Sequence, residues 1–250
     1  MKNYNAGVGS TLTLEHNGER ITVDVYSQEG LDFLSNLWIK AAAQQRLMYE
    51  STWLGRPVIQ FPTDIVAIQE LIWQLQPDIV VETGVAHGGS LVLSASILEL
   101  IGKGKVVGVD IDIRPHNRAA IEAHPLRHRI ELIEGSSVSA ETLAAVQKAI
   151  GSAKSVLVFL DSNHTEAHVL QELELYAPLV TPGSYIVAHD GAQAWVWDIP
   201  SGKPEWKDDH PLNAIHKFLG NHPEFAIDPH WTRMGITSSP DGFLKRSTEK

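Results

Sequence analysis

Short apolar runs alternate with helical patterns through the middle of the chain. Five runs rich in valine and isoleucine, each bounded by turn-forming residues, predict buried strands, and apolar residues recur between them with the 3.6-residue period of a helix. The runs are DIVVETG (78–84), KVVGVDID (105–112), RIELIEG (129–135), SVLVFLD (155–161) and SYIVAHD (184–190). This alternation is typical of an α/β fold, in which helices cover both faces of a mostly parallel sheet.

The first 60 residues follow a different pattern. TLTLEHNGERITVDVY alternates apolar and polar positions on both sides of Asn17-Gly18, a dipeptide favoured in two-residue hairpin turns. Leu31 to about Met48 then has helical spacing. We therefore predict an N-terminal unit, residues 1–60, made of a hairpin, a helix and a loop that covers the main domain or forms a subunit contact. The main domain is predicted at residues 61–250.

The segment after Asp190 is irregular and carries three tryptophans, at positions 195, 197 and 206. A helix around LNAIHKFLG follows, and then the extended runs FAID and MGITSSPDGFLKR. Ser239-Pro240-Asp241-Gly242 is a turn sequence between two extended runs, so it predicts a terminal hairpin. A hairpin beside a parallel sheet predicts an antiparallel last strand.

Composition narrows the function classes. Twenty Lys and Arg against 30 Asp and Glu give a net charge of −10, which argues against a nucleic-acid or anionic-membrane surface. The absence of cysteine excludes disulfides, thiolate metal sites and thiol nucleophiles. The N-terminus lacks the apolar core of a signal peptide, and no apolar run reaches the roughly 18 residues of a membrane helix. We therefore expect a cytoplasmic protein whose partner is a small molecule.

The first predicted strand of the main domain ends in a loop of small residues that opens a helix. The stretch ETGVAHGGS (82–90) is not G-x-G-x-x-G, because Ala86 stands where the second glycine would be, and no Gly-Lys-Ser/Thr follows as in a P-loop. A diphosphate ligand is therefore disfavoured. Free N–H groups at the helix start could still bind a carboxylate, and a tight turn without a ligand is the alternative.

The next two strands end in residues suited to a nucleoside. Asp110 follows Gly84 by 26 residues (110 − 84) and could accept hydrogen bonds from ribose hydroxyls, or instead cap the following turn. Ser136 and Ser137 could bind an adenine edge, although a helix N-cap is the commoner role of serine there. The loop and Asp110 together favour an adenosine ligand over a bare structural turn.

Acidic and imidazole groups follow the fourth and fifth strands. Asp161 and His164 lie after the fourth, and His189 and Asp190 end the fifth. Since these strands are neighbours in the expected topology, the four groups should converge. Carboxylates suit Mg²⁺ or Mn²⁺, and imidazole extends the choice to Fe²⁺ or Zn²⁺. Without a metal, the same groups could act as acid and base.

The other histidines are less informative. His87 lies inside the small-residue loop and faces either a ligand or solvent. Eight more are assigned to the surface: His116, His124, His128, His168, His210, His216, His222 and His230.

Six blocks of the chain resemble the cephalosporin hydroxylase/rhamnosyl O-methyltransferase family of S-adenosylmethionine-dependent enzymes. They are TWLGRPVIQFPTD, PDIVVETGVAHGGS, GKVVGVDIDIRPHNRAAIEAHP, IELIEGSS, LDSNHTEAHVLQELELYAPLVTPGSYIV and GFLKR. The resemblance implies a Rossmann-like class I methyltransferase fold with a mostly parallel seven-stranded sheet and an antiparallel last strand. It also implies O-methylation of a hydroxyl on a sugar or natural-product scaffold. Members of the family often carry Mg²⁺ and form homo-oligomers.

The resemblance also implies which residues bind S-adenosylmethionine, with Ser137 near the adenine. Together with their neighbours at the strand ends, the predicted cofactor-binding residues are Glu82, Gly84, Ala86, His87, Gly88, Ser90, Asp110, Ile111, Ser136, Ser137 and Asp161.

The metal site departs from the family pattern. The fifth strand of the family typically ends in Glu-Asp, whereas this chain has His189-Asp190. The predicted metal ligands are Asp161, His189 and Asp190. Loss of one negative charge weakens a Mg²⁺ site, so Mn²⁺ or Fe²⁺ becomes an alternative. The predicted catalytic residues are Asp161 and His164, with His164 as general base because imidazole titrates near neutrality.

The segment GAQAWVWDIPSGKPEWKDDHP (191–211) also looks unlike the usual family sequence. We interpret it as shaping the acceptor pocket, and its three tryptophans favour an unusual, aromatic acceptor; the alternative is a surface loop whose tryptophans pack on the core. Two other functions remain open: a metal-dependent hydroxylase or hydrolase on the same fold, and a non-catalytic protein that binds an adenosine ligand. A nicotinamide dehydrogenase is disfavoured by Ala86.

Overall fold

A computed structural model describes residues 7, 9–16 and 18–248. Asn17, predicted at the hairpin turn, lies outside the described residues. The N-terminal elements are β1 (Thr11–His16), β2 (Glu19–Asp24), α1 (Gln28–Gln44), β3 (Thr52–Trp53) and β4 (Arg56–Pro57). β1 pairs with β2 in antiparallel register, as the alternating pattern predicts. α1 begins before Leu31 because the Ser27 side chain caps it, accepting a hydrogen bond of 2.9 Å from the Gly30 N–H.

A seven-stranded sheet forms the centre of the molecule. Its order is β10-β11-β9-β8-β5-β6-β7, and β11 alone runs antiparallel, which confirms the predicted fold class. β8 and β9 are parallel neighbours, so the ends of the fourth and fifth predicted strands do lie side by side. The strands are β5 (Ile79–Thr83), β6 (Lys105–Asp110), β7 (Ile130–Glu134), β8 (Val156–Leu160), β9 (Tyr185–Ala188), β10 (Phe225–Ile227) and β11 (Phe243–Arg246).

Helices cover both faces of this sheet and bury two apolar clusters against it. One cluster contains residues of α2, α3 and α4, and the other contains residues of α5, α6 and α7. The helices are α2 (Pro62–Leu75), α3 (Gly89–Ile101), α4 (Pro115–Glu122), α5 (Ala140–Ile150), α6 (Glu166–Tyr176) and α7 (Pro211–Asn221). In the described residues, we find no helix with the length and apolar character needed to cross a membrane.

The C-terminal hairpin differs in one detail from the sequence prediction. The run before the Ser239–Gly242 turn is not a strand, and β10 is the antiparallel hairpin partner of β11. The physical reason is a buried carboxylate: Asp64 accepts hydrogen bonds from the Thr237 hydroxyl at 2.6 Å and from the Ser238 N–H at 2.8 Å. The Ser238 N–H is therefore bonded to a side chain and not to a strand.

Candidate active site

The loop between β5 and α3 requires glycine for packing. Gly84 and Gly88 have φ angles of 91° and 79°, in the left-handed region that side chains rarely adopt. A Cβ atom on Gly84 would overlap the backbone carbonyl of Asp161, and one on Gly88 would overlap the Ile121 side chain. The glycine pattern thus lets the loop approach the end of β8 closely, whether or not a ligand is present.

Two residues that the sequence analysis did not select fix this loop in place. Arg56 donates from Nε to the carbonyl of His87 at 3.0 Å, and Asn117 donates from Nδ2 to the carbonyl of Ala86 at 2.8 Å. The two are also bonded to each other, from Arg56 Nη2 to Asn117 Oδ1 at 3.1 Å. Asn117 is 3% exposed, which is unusual for a polar side chain without a structural partner. The only sequence signal was that both lie inside blocks that resemble the family.

Asp110 both caps a turn and holds the glycine loop. Its Oδ1 accepts a hydrogen bond from the Asp112 N–H at 3.1 Å, as the capping alternative predicted. Its Oδ2 accepts from the N–H groups of Val85 at 2.8 Å and Ala86 at 3.2 Å. The carboxylate is therefore oriented by backbone on two sides. Beside it, the Ile111 side chain is 73% exposed, an unusual position for isoleucine that leaves an apolar surface next to the carboxylate.

The serines after β7 are not helix caps. Ser139 caps α5, because its Oγ accepts a hydrogen bond of 3.2 Å from the Thr142 N–H. Capping was the favoured interpretation for Ser136 and Ser137, and it was wrong because the helix starts later than expected. Ser137 is buried, and its Oγ lies 3.2 Å from Nε2 of His168. The adenine contact of Ser137 stays a prediction.

Glu82 is a buried carboxyl group at the end of β5. It is 2% exposed and accepts a hydrogen bond from the Ser90 hydroxyl. Burial, opposed by the Ser90 hydrogen bond and reinforced by the negative charge of Asp161, raises the pKa of Glu82 to about 8. This carboxyl group is therefore mostly neutral at pH 7 when no cation lies beside it, and a cationic ligand group would favour its ionised form.

Asp161, His164 and Asp190 form a compact group at the ends of β8 and β9. The Nδ1 of His164 lies 2.9 Å from Oδ2 of Asp190, and its Nε2 lies 3.6 Å from Oδ1 of Asp161. One ligand atom from each residue lies within 4.8 Å of the others, a spacing at which the three could share a metal ion. The convergence expected from the strand order is therefore present for these three residues.

Electrostatics couples His164 to both carboxylates. Burial of His164 disfavours its charge, but the charges and hydrogen bonds of Asp190 and Asp161 outweigh burial and raise the pKa of His164 well above its usual range. Burial also opposes ionisation of Asp190, yet the neighbouring imidazolium holds the pKa of Asp190 below its usual range. Without a bound cation, a proton on His164 therefore compensates the negative charge of the group.

His189 does not join this group in the described structure. Its N–H still pairs with the Leu160 carbonyl at 3.0 Å, so the residue continues the β9 ladder, and its ring packs near Phe159. Its Nδ1 lies 3.0 Å from the Ser239 hydroxyl, and its buried Nε2 has no hydrogen-bond partner in the described part of the chain. Asp190 leaves the ladder with a φ of 58°. The predicted metal role of His189 stays a prediction, and the geometry favours His164.

Two cavities meet at His164 and Asp190. One, of about 210 Å³, is lined by the glycine loop from Gly84 to Ser90 and by Asp161. The other, of about 390 Å³, lies between α1 and the segment 191–206. His164, Asp190 and Tyr49 line both. His87, whose orientation the sequence left open, lines the smaller cavity, and Trp206 lines the larger one.

Two of the histidines assigned to the surface are in fact integrated into the structure. His168, besides its contact with Ser137, lies 3.2 Å from the Ser162 hydroxyl. His210 is 6% exposed and caps α7, accepting a hydrogen bond of 3.3 Å from the Asn213 N–H. The surface assignment was wrong for His210, because its ring folds back to cap α7, whereas the His168 side chain is partly exposed, at 23%.

Comparison with known proteins gives a consistent match. The sequence profile of the family described as Rhamnosyl O-methyltransferase/CmcI matches residues 45–247. A Rhamnosyl O-methyltransferase from Mycobacterium tuberculosis is 29% identical over 203 residues, and the match covers 79% of each protein. A solved structure of CmcI described with Mg and SAM has a TM-score of 0.58 at 19% identity, covering 79% of this chain and 77% of that one. An O-methyltransferase from Bacillus cereus in complex with SAH has a TM-score of 0.52 at 17% identity, covering 81% and 84%.

The seven-stranded sheet with its single antiparallel strand is that of the class I methyltransferase fold. The chain belongs to the Rhamnosyl O-methyltransferase/CmcI family, because the family profile matches most of its length. It is a methyltransferase that depends on S-adenosylmethionine and methylates an oxygen of a small molecule, which confirms the predicted family, cofactor and activity class.

Proposed function

We propose that the acceptor is a hydroxyl group held beside Asp161, His164 and Asp190, with a divalent cation bound by these three residues. The observation that carries this proposal is the position of His164 and Asp190, which line both cavities. A methyl donor in the smaller cavity and an acceptor in the larger one would meet there, and such positioning supplies a large part of the rate in two-substrate reactions.

The donor set suits a divalent cation. Two carboxylates provide the hard oxygen ligands that Mg²⁺ prefers, and the imidazole of His164 extends the choice to Mn²⁺ or Fe²⁺. A cation bound there would lower the pKa of an acceptor hydroxyl. In this proposal His164 takes the ligand position that the sequence analysis gave to His189. Because His164 carries a proton when no cation is present, metal binding should release that proton and weaken as the pH falls.

The predicted cofactor-binding residues have complementary chemistry along the strand ends. The first-turn N–H groups of α3, which a helix leaves unpaired, suit a carboxylate, and the buried carboxyl of Glu82 suits an ammonium group. Asp110, oriented by the backbone, has oxygen lone pairs left for ribose hydroxyls. The exposed Ile111 side chain offers a surface for an adenine ring, and Ser137 lies at the end of the adjacent strand.

Calorimetry tests the cofactor site. Wild-type protein should bind S-adenosylmethionine, and Asp110→Ala should weaken binding at least about tenfold, because it removes both the ribose acceptor and the anchor of the loop. Asp112→Ala is the matched control, since Asp112 contacts Asp110 only through its backbone N–H among the described hydrogen bonds. Equal binding by Asp110→Ala, or none by the wild type, would overturn the site assignment.

Formation of S-adenosylhomocysteine, measured with and without a divalent metal, tests the metal site. A panel of hydroxylated acceptors should yield S-adenosylhomocysteine in the presence of Mg²⁺ or Mn²⁺, and chelation by EDTA should stop the reaction. Full activity after exhaustive chelation, with metal content verified by mass spectrometry, would exclude a catalytic cation at this group.

We further propose that the acceptor is a natural-product scaffold. We also propose that the protein is a cytoplasmic homo-oligomer and that it binds neither nucleic acid nor membrane. The net charge of −10 supports the absence of polyanionic partners. Exposed apolar side chains on α1, namely Leu31, Leu34 and Trp38, support a subunit contact through the N-terminal elements. Light scattering tests the oligomeric state. The boundary between residues 1–60 and 61–250 likewise stays a prediction.

A further inference from the structure

The larger cavity has apolar walls. Six residues from α1, the segment before α2 and the segment after β9 line it: Ile39, Ala43, Met48, Phe61, Val196 and Ile199. Ile39, Phe61 and Val196 also belong to one buried apolar cluster that joins these three segments. The Lys40–Asp198 ion pair at 2.6 Å and the hydrogen bond from the Ser201 N–H to Gln44 at 2.9 Å tie the two walls together. A ligand in this cavity would therefore contact mainly apolar side chains along these walls.

Several polar side chains also line this cavity. His164 and Asp190 are shared with the smaller cavity, where the methyl donor binds in the proposed function. The Gln193 amide nitrogen donates a hydrogen bond to the His164 carbonyl, and its amide oxygen accepts one from the indole N–H of Trp206. Ser238 is bonded to Asp64. Gln193 and Ser238 therefore already use part of their hydrogen-bonding capacity within the protein.

Arg46 is the one guanidinium on the lining of this cavity. It lies two residues after the end of α1, has a φ of 57°, and its guanidinium lies 4.7 Å from the ring centre of Tyr49. No carboxylate forms an ion pair with Arg46 in the part of the chain that the structure describes. A stacked arginine keeps its N–H donors free, and a planar fork of donors suits an anionic group of a ligand.

A third cavity offers a contrast. Its volume, about 410 Å³, is close to that of the apolar-walled cavity, which we call the larger cavity only relative to the one at the glycine loop. It is lined mainly by polar residues, among them Asn163, Lys203 and Asp209. It reaches His164 but not Asp161 or Asp190. A sugar with many hydroxyls would find more hydrogen-bond partners in this third cavity. Asp190 and Arg46, however, line only the apolar-walled cavity together.

We infer that the acceptor is a largely apolar molecule that carries an anionic group, which Arg46 binds, and a hydroxyl that lies at the Asp161, His164 and Asp190 group. This inference rests on the proposed function for the role of the hydroxyl. The lining of the cavity carries the rest, because it combines apolar walls with one arginine that has no ion-pair partner among the described residues and with His164 and Asp190. Arg46 is then a residue that determines acceptor specificity.

A pair of fluorescent probes tests the cavity without any cofactor. The anionic probe is 8-anilinonaphthalene-1-sulfonate, and the neutral probe is N-phenyl-1-naphthylamine, which has the same apolar body without the sulfonate. Both should bind the wild-type chain with a stoichiometry of about one. Arg46→Gln should weaken the anionic probe about fivefold and leave the neutral probe within about twofold, because only the former uses the guanidinium. Arg46→Lys should restore part of the affinity.

A second pair of variants locates the probes. Ala43→Phe fills the cavity and should abolish binding of both, whereas Ala41→Phe, on the exposed face of the same helix, should change neither. Equal loss of both probes in Arg46→Gln, or equal binding of the anionic probe by wild type and Arg46→Gln, would overturn the role of Arg46. Unchanged binding in a folded Ala43→Phe protein would overturn the cavity assignment.

The failure of this inference can be distinguished from failure of the proposed function. Calorimetry with S-adenosylmethionine reports on the smaller cavity and does not depend on Arg46 in the proposal. If the cofactor binds and the probes do not respond to Arg46, the acceptor class is wrong. If the probes respond and the cofactor does not bind, the methyl-transfer site is wrong.

Discussion

The two halves of the site are held in different ways. At the ends of β5 and β6, backbone groups of the glycine loop are paired with Asp110, Arg56 and Asn117. At the ends of β8 and β9, the site consists of two carboxylates that share His164. The first half holds its shape without a ligand because the backbone groups of the loop are hydrogen-bonded to the side chains of Asp110, Arg56 and Asn117. The second brings like charges together, which costs free energy unless a proton or a cation lies between them.

This difference indicates a division of labour. A half built from satisfied backbone groups can be preorganised for a cofactor, and its pH dependence should come mainly from one buried carboxyl group, that of Glu82. A half built from titratable side chains should respond strongly to pH and to metal ions. Substitutions that break each half should therefore change different measured quantities.

The largest effect is expected at the acidic half. Asp190→Asn should lower methyl transfer at least about 100-fold, because it removes a charged carboxylate that the proposed function assigns to the metal ion, while S-adenosylmethionine affinity stays within about threefold. Asp241→Asn is a matched control, since Asp241 also has a left-handed φ, of 54°, and a histidine partner, His216, at 3.0 Å. Steady-state kinetics and calorimetry measure the two quantities. Parallel losses of activity in both variants would show that the effect is merely conformational.

The glycine loop should show its effect first in stability. Gly84→Ala should lower the free energy of unfolding by roughly 3 kcal/mol or more, because a left-handed backbone and an overlap with the Asp161 carbonyl act together. Gly102→Ala has a similar φ of 84° but open space at its Cβ, so it should cost only about 1 kcal/mol. Urea titration compares them. Equal costs would mean that the close approach to β8 does not constrain this position.

Asn117 tests whether the loop is preorganised. Asn117→Ala removes the bond to the Ala86 carbonyl, so S-adenosylhomocysteine affinity should fall about fivefold through loss of loop order. Asn213→Ala removes a comparable bond, to the Asp208 carbonyl at 2.8 Å, at the start of α7. It should leave the affinity unchanged. An affinity that does not move in Asn117→Ala would mean that the loop keeps its shape without this residue.

Glu82 should show its effect as a pH dependence of thermal stability. Its carboxyl pKa is about 8 in the folded protein against 4.5 as the ordinary value, so the folded state holds a proton that the unfolded state releases. This lowers stability progressively as the pH rises from about 4.5 to 8 and has no effect below that range. Glu82→Gln should therefore raise the Tm of the ligand-free protein at pH 8 by several °C and change it much less at pH 4.

Glu131→Gln, at an exposed position on β7, provides the control for Glu82→Gln. Its Tm relative to wild type should be the same at both pH values. A Glu82→Gln protein whose Tm difference is also independent of pH would show that the buried carboxyl is ionised in the folded state.

Much of the site could be predicted because strand ends are local features. Turn residues and apolar runs indicated where β5, β8 and β9 end, and the strand order then placed Asp161 near Asp190. The choice between His164 and His189 could not be predicted in the same way. It depends on where β9 leaves the ladder: His189 still pairs with β8, whereas Asp190 turns away in a left-handed conformation.

The sequence by itself determined the α/β class and the sheet with its antiparallel last strand, because hydrophobic periodicity depends on residues close together in the chain. It also determined the family and the cofactor, because the motifs that indicate them are short stretches of neighbouring residues. Only the tertiary structure decided that Arg56 and Asn117 hold the glycine loop, and that α1 and the segment 191–206 enclose an apolar cavity with Arg46. The physical reason is that these contacts join residues far apart in the chain. Their partners are selected by packing, which no local pattern encodes.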